Sequence, residues 1–223
     1  MSKYKTRAEK LIELQKYMNL ETGTINEDVF EWENDLSEKG LKKKALDEQI
    51  LKCSRCEGLN IKRLSECACG WGDLNADLFF VGQSLHKAGM QTGLPFIGGS
   101  GYMLDAALRL SGLLRKDVFI SNTVKCHPPG NRQSTEEEKK NCQIYLWHEL
   151  DIVRPKLVVA LGNDAKATVQ DIDFDYLDDD MPKILCVTHP AKYSYSEPES
   201  RYGWILKLSL QIDKVLRDSK EKP

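Results

Sequence analysis

Ala76-Asp77-Leu78-Phe79-Phe80-Val81-Gly82 is a short apolar run that ends in glycine. A strand apolar on both faces has no wet side, so it belongs inside a sheet covered twice, and the glycine releases the chain into a loop. Three more runs share this form. They are Asp117-Val118-Phe119-Ile120-Ser121-Asn122, Lys156-Leu157-Val158-Val159-Ala160-Leu161-Gly162, and Lys183-Ile184-Leu185-Cys186-Val187, which runs into Thr188-His189-Pro190. Between them lie helical patterns over residues 101–110, 135–153, 164–169 and 202–218, the second with Glu136, Glu137 and Glu138 in its first turn, where the helix dipole favours acid. Alternation of this kind predicts an α/β fold, a three-layer α/β/α sandwich around a central, mainly parallel four-stranded sheet. Ligands of such folds sit at the carboxyl ends of the strands. The residues to read are therefore Gly82-Gln83-Ser84, Asn122, Gly162-Asn163 and His189.

The chain has 223 residues with 41% apolar and 30% charged content, enough for one domain with a real core and a small appendage. The net charge of −2 and pI near 6.1 exclude a binder driven by overall basic charge, though not a local basic groove. No apolar run reaches the roughly 18 residues of a membrane span. The mixed-charge start resembles neither a secretory signal nor a transit peptide, so a cytoplasmic setting is expected. Residues 1–47 are expected to be a helical extension, with a helix over 26–39 capped at its end by Gly40 and another through Ala45 and Leu51. Lys42-Lys43-Lys44 reads as a solvated face.

Seven cysteines without an export signal argue against a disulfide framework and for a metal or cluster site. Cys53-Ser54-Arg55-Cys56 precedes the sheet, Cys126 follows the second strand, and Cys142 lies sixteen residues later in the long helix. Four such thiolates suit either zinc or an iron–sulfur cluster. Cys67 and Cys69 compete as a source of ligands, while Cys186 reads as a buried apolar residue of its strand.

Three segments recur together in a known order. The first is Val81-Gly82-Gln83-Ser84-Leu85-His86, leading into Gly93-Leu94-Pro95-Phe96-Ile97-Gly98 and Gly101-Tyr102-Met103-Leu104-Asp105. The second is Phe119-Ile120-Ser121-Asn122-Thr123-Val124-Lys125-Cys126-His127-Pro128-Pro129-Gly130-Asn131-Arg132, continuing to Cys142 and Ala160-Leu161-Gly162, and the third is Thr188-His189-Pro190-Ala191. Over roughly residues 48–217 the chain resembles family-4 uracil-DNA glycosylases, the iron–sulfur branch of that superfamily. The resemblance implies a uracil-DNA-glycosylase-like domain over 48–218 and a structural 4Fe-4S cluster on Cys53, Cys56, Cys126 and Cys142. It also implies DNA containing uracil or another deaminated base as the partner, with base excision repair as the setting.

Breaking a glycosidic bond leaves cationic charge on the sugar and negative charge on the base, after the base has left the stack. The resemblance assigns Phe96 to stack on that base beside Gly82. It assigns Asn122 to read the pairing edge with its carboxamide, and His189 to donate toward the leaving oxygen. Gly98, Gly99, Lys192, Tyr193 and Arg201 are expected to meet the DNA backbone, with Tyr193 or Tyr195 filling the space the base vacates. One departure stands out. Family-4 enzymes carry carboxylates in the first motif, where this chain has Gln83 and Ser84, and Ser84 occupies the position at which another branch carries a water-activating aspartate. General-base help is worth about 10²- to 10⁴-fold, so a slower or differently specific glycosylase is expected. The alternatives are a non-catalytic relative that binds DNA or, through its N-terminal extension, a protein partner, and a zinc-bearing nucleotide-binding protein.

Overall fold

The computed structural model describes residues 35–174, 181–194 and 196–218. The helices expected before residue 35 and the candidate Tyr195 lie outside them. Helix α1 (Glu38–Leu51) leads, followed by β1 (Trp71–Gly72), β2 (Leu78–Ser84), α2 (Lys87–Thr92) and α3 (Gly99–Leu110). Then come β3 (Phe119–Val124), α4 (Glu136–Val153), β4 (Leu157–Leu161), α5 (Asn163–Gln170), β5 (Lys183–Val187) and α6 (Pro198–Asp218).

The sheet runs β1-β3-β2-β4-β5, with every pair parallel except β1–β3. The fifth strand is two residues long, Trp71 and Gly72 paired with Ile120 and Phe119. Two residues are too few to show the periodicity by which the other four strands are read.

Alternate residues of each strand feed opposite layers. Phe79, Val81, Phe119, Val158 and Ala160 pack under α1, α4 and α5, while Leu78, Phe80, Ile120, Leu157 and Val159 pack under α3 and α6. Both cores are closed, which explains why β3 and β4 are buried throughout and β2 is buried as far as Gly82.

Three local expectations are corrected. Gly40 does not end a helix. It lies in the first turn of α1, where the Ser37 side chain accepts its N–H at 3.1 Å, and it packs against Asp35 too closely for a side chain. Lys43 is not on a solvated face: it is fully buried and paired with Asp47 at 2.5 Å, with Lys42 and Lys44 outside. Cys186 is exposed: β5 is the outer strand of the sheet, with only β4 beside it among the described residues. Helix α1 also crosses residue 47, burying Leu46 and Ile50 in the core under α4. Among the described residues no helix is long and apolar enough to cross a membrane.

Candidate active site and cysteine cavity

Parallel register aligns the strand ends. Gly82 pairs with Asn122 across β2–β3, and Leu161 with Val187 across β4–β5, so Gly162 and His189 emerge at the same edge. The approach is close enough to constrain residue types. A Cβ on Gly82 would stand 2.5 Å from both the Asn122 Oδ1 and the Phe96 ring, and one on Gly162 would stand 3.0 Å from the His189 Cβ. Phe96 and His189 face one another with ring centroids 5.9 Å apart and planes 29° apart. Gly82, Phe96, Asn122 and His189, from four separate segments, thus come together at this edge, where Asn122 is only 4% exposed.

The state of His189 follows from its hydrogen bonds. The Ala191 N–H donates to Nδ1 at 3.1 Å, so that nitrogen carries no proton and the neutral ring bears its hydrogen on Nε2. Burial pushes the His189 pKa down to about 4, against a smaller pull from the Asp164 carboxylate. The ring is therefore neutral at ordinary pH, with one N–H to give. Buried Pro190 stiffens the turn, and the Trp204 Nε1–H holds the Thr188 carbonyl at 2.8 Å.

Phe96 is held less comfortably. Its φ of 56° is in the left-handed region that disfavours a bulky side chain. Arg115 supports it, donating to the Pro95 carbonyl at 2.9 Å and the Phe96 carbonyl at 2.6 Å while its Nε meets Asp105 at 2.9 Å. Gly101 packs directly on the Phe96 carbonyl, where a side chain has no room. Nothing local around Arg115-Lys116-Asp117 signals this task.

Gln83 and Ser84 are half-buried at the end of β2, one and two residues past Gly82, and the Gln83 carbonyl accepts the Thr123 hydroxyl. No carboxylate occurs between Gly82 and Phe96. His86 is exposed and caps α2, while buried His127 shares a hydrogen bond between Nδ1 and the Leu85 carbonyl at 3.0 Å. Asp164, at the start of α5, is the acidic group that acts on His189, and it is bound to Lys139 at 2.8 Å. Gly98 and Gly99 are exposed, and Gly99 lies against Ser194 in the turn after His189. In that turn Lys192 is exposed and sits over the half-buried Tyr193 ring. Arg201 is half-buried, and its Nε has no hydrogen-bond partner.

Just beyond the same carboxyl end of β3 lies a second feature. Cys53, Cys56, Cys126 and Cys142 line a single small cavity of about 20 Å³, together with Leu59 and Val124. The Lys125 backbone N–H points at the Cys142 sulfur, 3.3 Å away, and the Asn141 amide at that of Cys56, 3.7 Å away. Burial raises the Cys142 pKa to about 11. Cys69 turns away toward the Asp47 carbonyl. Among the described residues no three ligating groups stand close enough to hold one metal ion. A zinc tetrahedron with Zn–S bonds of 2.3 Å needs sulfurs about 3.8 Å apart, whereas a cluster takes each thiolate on its own iron and suits a wider cradle.

Lys125 ties the two features together. Its Nζ donates to the Ser121 hydroxyl at 2.7 Å, the Asn122 carbonyl at 2.8 Å and Glu149 at 2.7 Å. Glu149 in turn accepts from Ser121 at 2.6 Å and from the Gly70 N–H at 2.9 Å. Lysine and glutamate are both buried. Arg132 fixes the Pro-Pro-Gly-Asn-Arg loop by a two-pronged grip on Glu138, which also closes the capping box of α4 with Thr135.

A family model described as the uracil DNA glycosylase superfamily matches residues 69–210. The Type-4 uracil-DNA glycosylase of Thermotoga maritima is 39% identical over 117 residues, covering 52% of this chain and 60% of that protein. The Type-4 uracil-DNA glycosylase of Archaeoglobus fulgidus is 31% identical over 162 residues, covering 66% and 80%. The Type-5 uracil-DNA glycosylase of Pyrobaculum aerophilum is 43% identical over 107 residues, covering 41% and 47%. The match to the Thermotoga protein thus spans less than two thirds of its length.

Proposed function

The chain belongs to the uracil DNA glycosylase superfamily, and on that footing we propose that it hydrolyses the N-glycosidic bond of uracil, or a related deaminated base, in DNA to begin base excision repair. The observation that carries this reading is the convergence of Gly82, Phe96, Asn122 and a neutral His189, whose Nε2 holds the proton, around one space at the strand ends.

A base turned out of the stack enters this space and lies against Phe96. The Asn122 carboxamide offers one donor and one acceptor, matching a uracil carbonyl and its neighbouring N–H, while cytosine presents an amine where uracil has a carbonyl. Gly82 leaves no side chain between base and carboxamide. As the bond stretches, negative charge gathers on the leaving uracil, and the His189 Nε2–H meets it at its O2 oxygen. A donor aimed at charge that exists only near the transition state is worth about 10²- to 10³-fold in rate. Gln83 and Ser84 hold the attacking water by hydrogen bonds and take no proton from it. The sugar cation that forms needs little help from its nucleophile.

Residues 48–218 form the catalytic domain and residues 1–47 its extension, with α1 crossing the boundary and the extension offering a surface for a protein partner. Gly98, Gly99, Lys192, Tyr193 and Arg201 contact the DNA backbone. Cys53, Cys56, Cys126 and Cys142 hold a 4Fe-4S cluster. The four-sulfur lining of one cavity supports this assignment, and among the described residues no closer, single-ion grouping competes with it. When bound, the cluster supplies a rigid tie between the segment before the sheet and the end of β3, with no redox part in hydrolysis. A cytoplasmic setting is part of the same reading.

The test is base release from single- and double-stranded oligonucleotides bearing one uracil, with His189→Ala beside the parent protein. Release that the substitution removes, at unchanged DNA binding, is the expected result. No release of uracil, hypoxanthine or xanthine at enzyme excess would favour the second reading, a DNA-binding relative without activity, for which the carboxylate-free first motif speaks.

A further inference from the structure

Cys67 lies outside the four-cysteine cavity and directly opposite one of its members. The two form an isolated antiparallel bridge, with the Ala68 N–H donating to the Lys125 carbonyl at 3.0 Å and the His127 N–H to the Glu66 carbonyl at 3.1 Å. Bonds that flank a pair in this way make it a non-hydrogen-bonded pair, whose Cα atoms stand about 4.5 Å apart with both side chains on one face. That spacing is inside the range of about 4.4–6.8 Å over which a disulfide closes without moving the backbone. Cys67 contacts the Ile50 carbonyl at 3.5 Å and is the more exposed of the two.

We propose that Cys67 and Cys126 are a disulfide-forming pair, and that their oxidation withdraws Cys126 from the cysteine cavity. The oxidant is a hydroperoxide. The Cys67 thiolate attacks one oxygen of hydrogen peroxide, the O–O bond breaks, and a sulfenic acid and one water result. The Cys126 thiolate then attacks the sulfenic sulfur and displaces hydroxide, which leaves as a second water. Two thiols thus lose two electrons and two protons while the peroxide is reduced to two waters. The bridge forms once the cavity is free of its cluster, and it keeps the site closed to reloading until a thiol reductant opens it. This consequence rests on the proposed cluster. The cross-link does not.

The pairing can be read directly, because trypsin separates residues 64–87, carrying Cys67 and Cys69, from residues 126–132, carrying Cys126. The full-length protein is stripped of iron with a chelator, treated with hydrogen peroxide, alkylated with a maleimide and mapped by mass. The expected product joins these two peptides, two hydrogens lighter than their sum, disappears in Cys67→Ser and persists in Cys69→Ser. Alkylation of both Cys67 and Cys126 after peroxide has consumed Cys53 and Cys56 would overturn the proposal, as would a cross-link that persists in Cys67→Ser. Iron measured on the untreated protein keeps the two readings apart. A cross-link in protein that never carries iron supports the pairing and defeats the cluster.

Discussion

The proposed base pocket and the cysteine cavity both hang from the carboxyl end of β3, four residues apart at Asn122 and Cys126, and they are built in opposite ways. The pocket is locked before any ligand arrives. Gly82 leaves no slack around Asn122, Arg115 grips the Phe96 backbone, and Ala191 and Trp204 pin the His189 turn. The cysteine cavity is loosely held, its sulfurs approached by long contacts of 3.3 and 3.7 Å, with one member facing a competing thiol. Reading uracil against cytosine, as proposed, requires donors that hold still, whereas a site that is completed by its ligand can leave the ordering to that ligand.

Lys125 belongs to both regions, so removing it should blur the difference most. Lys125→Met leaves Glu149 buried and unpaired, at a cost of about 3–5 kcal/mol, whereas Lys125→Met with Glu149→Leu should recover most of that. Urea unfolding of the single and double variants checks this. Equal losses in both would show that the ion pair is not what the fold relies on there.

His189→Ala tests the pocket alone. Base release should fall about 10²- to 10³-fold, or about 2.7–4 kcal/mol, with DNA affinity and cysteine chemistry unchanged. Arg115→Ala should act more gently on the same side. Without its grip the left-handed Phe96 can relax, releasing strain of about 1–3 kcal/mol that a bound base must restore. The expected signature is weaker discrimination and a higher KM in single-turnover assays, not a collapse of kcat. A fall in kcat alone would assign Arg115 some other role.

The smallest expected effect is with pH. His189 folds with its pKa lowered from 6.5 to about 4, so the unfolded chain binds more protons between those values. This contribution to stability is complete above about pH 6.5 and is lost progressively as the pH falls toward 4. Once the ring is charged, Nδ1 can no longer accept from Ala191. Thermal melting of the parent and His189→Asn between pH 4 and 7 should show a steeper acid decline in the parent. Parallel curves would mean that the ring is not held neutral.

Much of this was legible without coordinates, for a physical reason in each instance. Strands covered on both faces write apolar runs, so β2, β3 and β4 were readable, and parallel topology put Gly82, Asn122 and His189 at the edge where the proposed site lies. Helix α4 announced itself through Glu136, Glu137 and Glu138 in its first turn. What stayed hidden depends on neighbours distant in the chain. Nothing beside Cys186 tells whether a further strand covers β5, and nothing beside Lys43 reveals that Asp47 lets it be buried. The grip of Arg115 on Phe96, the pairing of Lys125 with Glu149 and the meeting of Cys67 with Cys126 join residues 19, 24 and 59 positions apart. Local chemistry determined which elements form and where their functional ends point. Only tertiary packing, which sets distances between side chains that no periodicity relates, decided which charges are buried, which rings are held and which thiols meet.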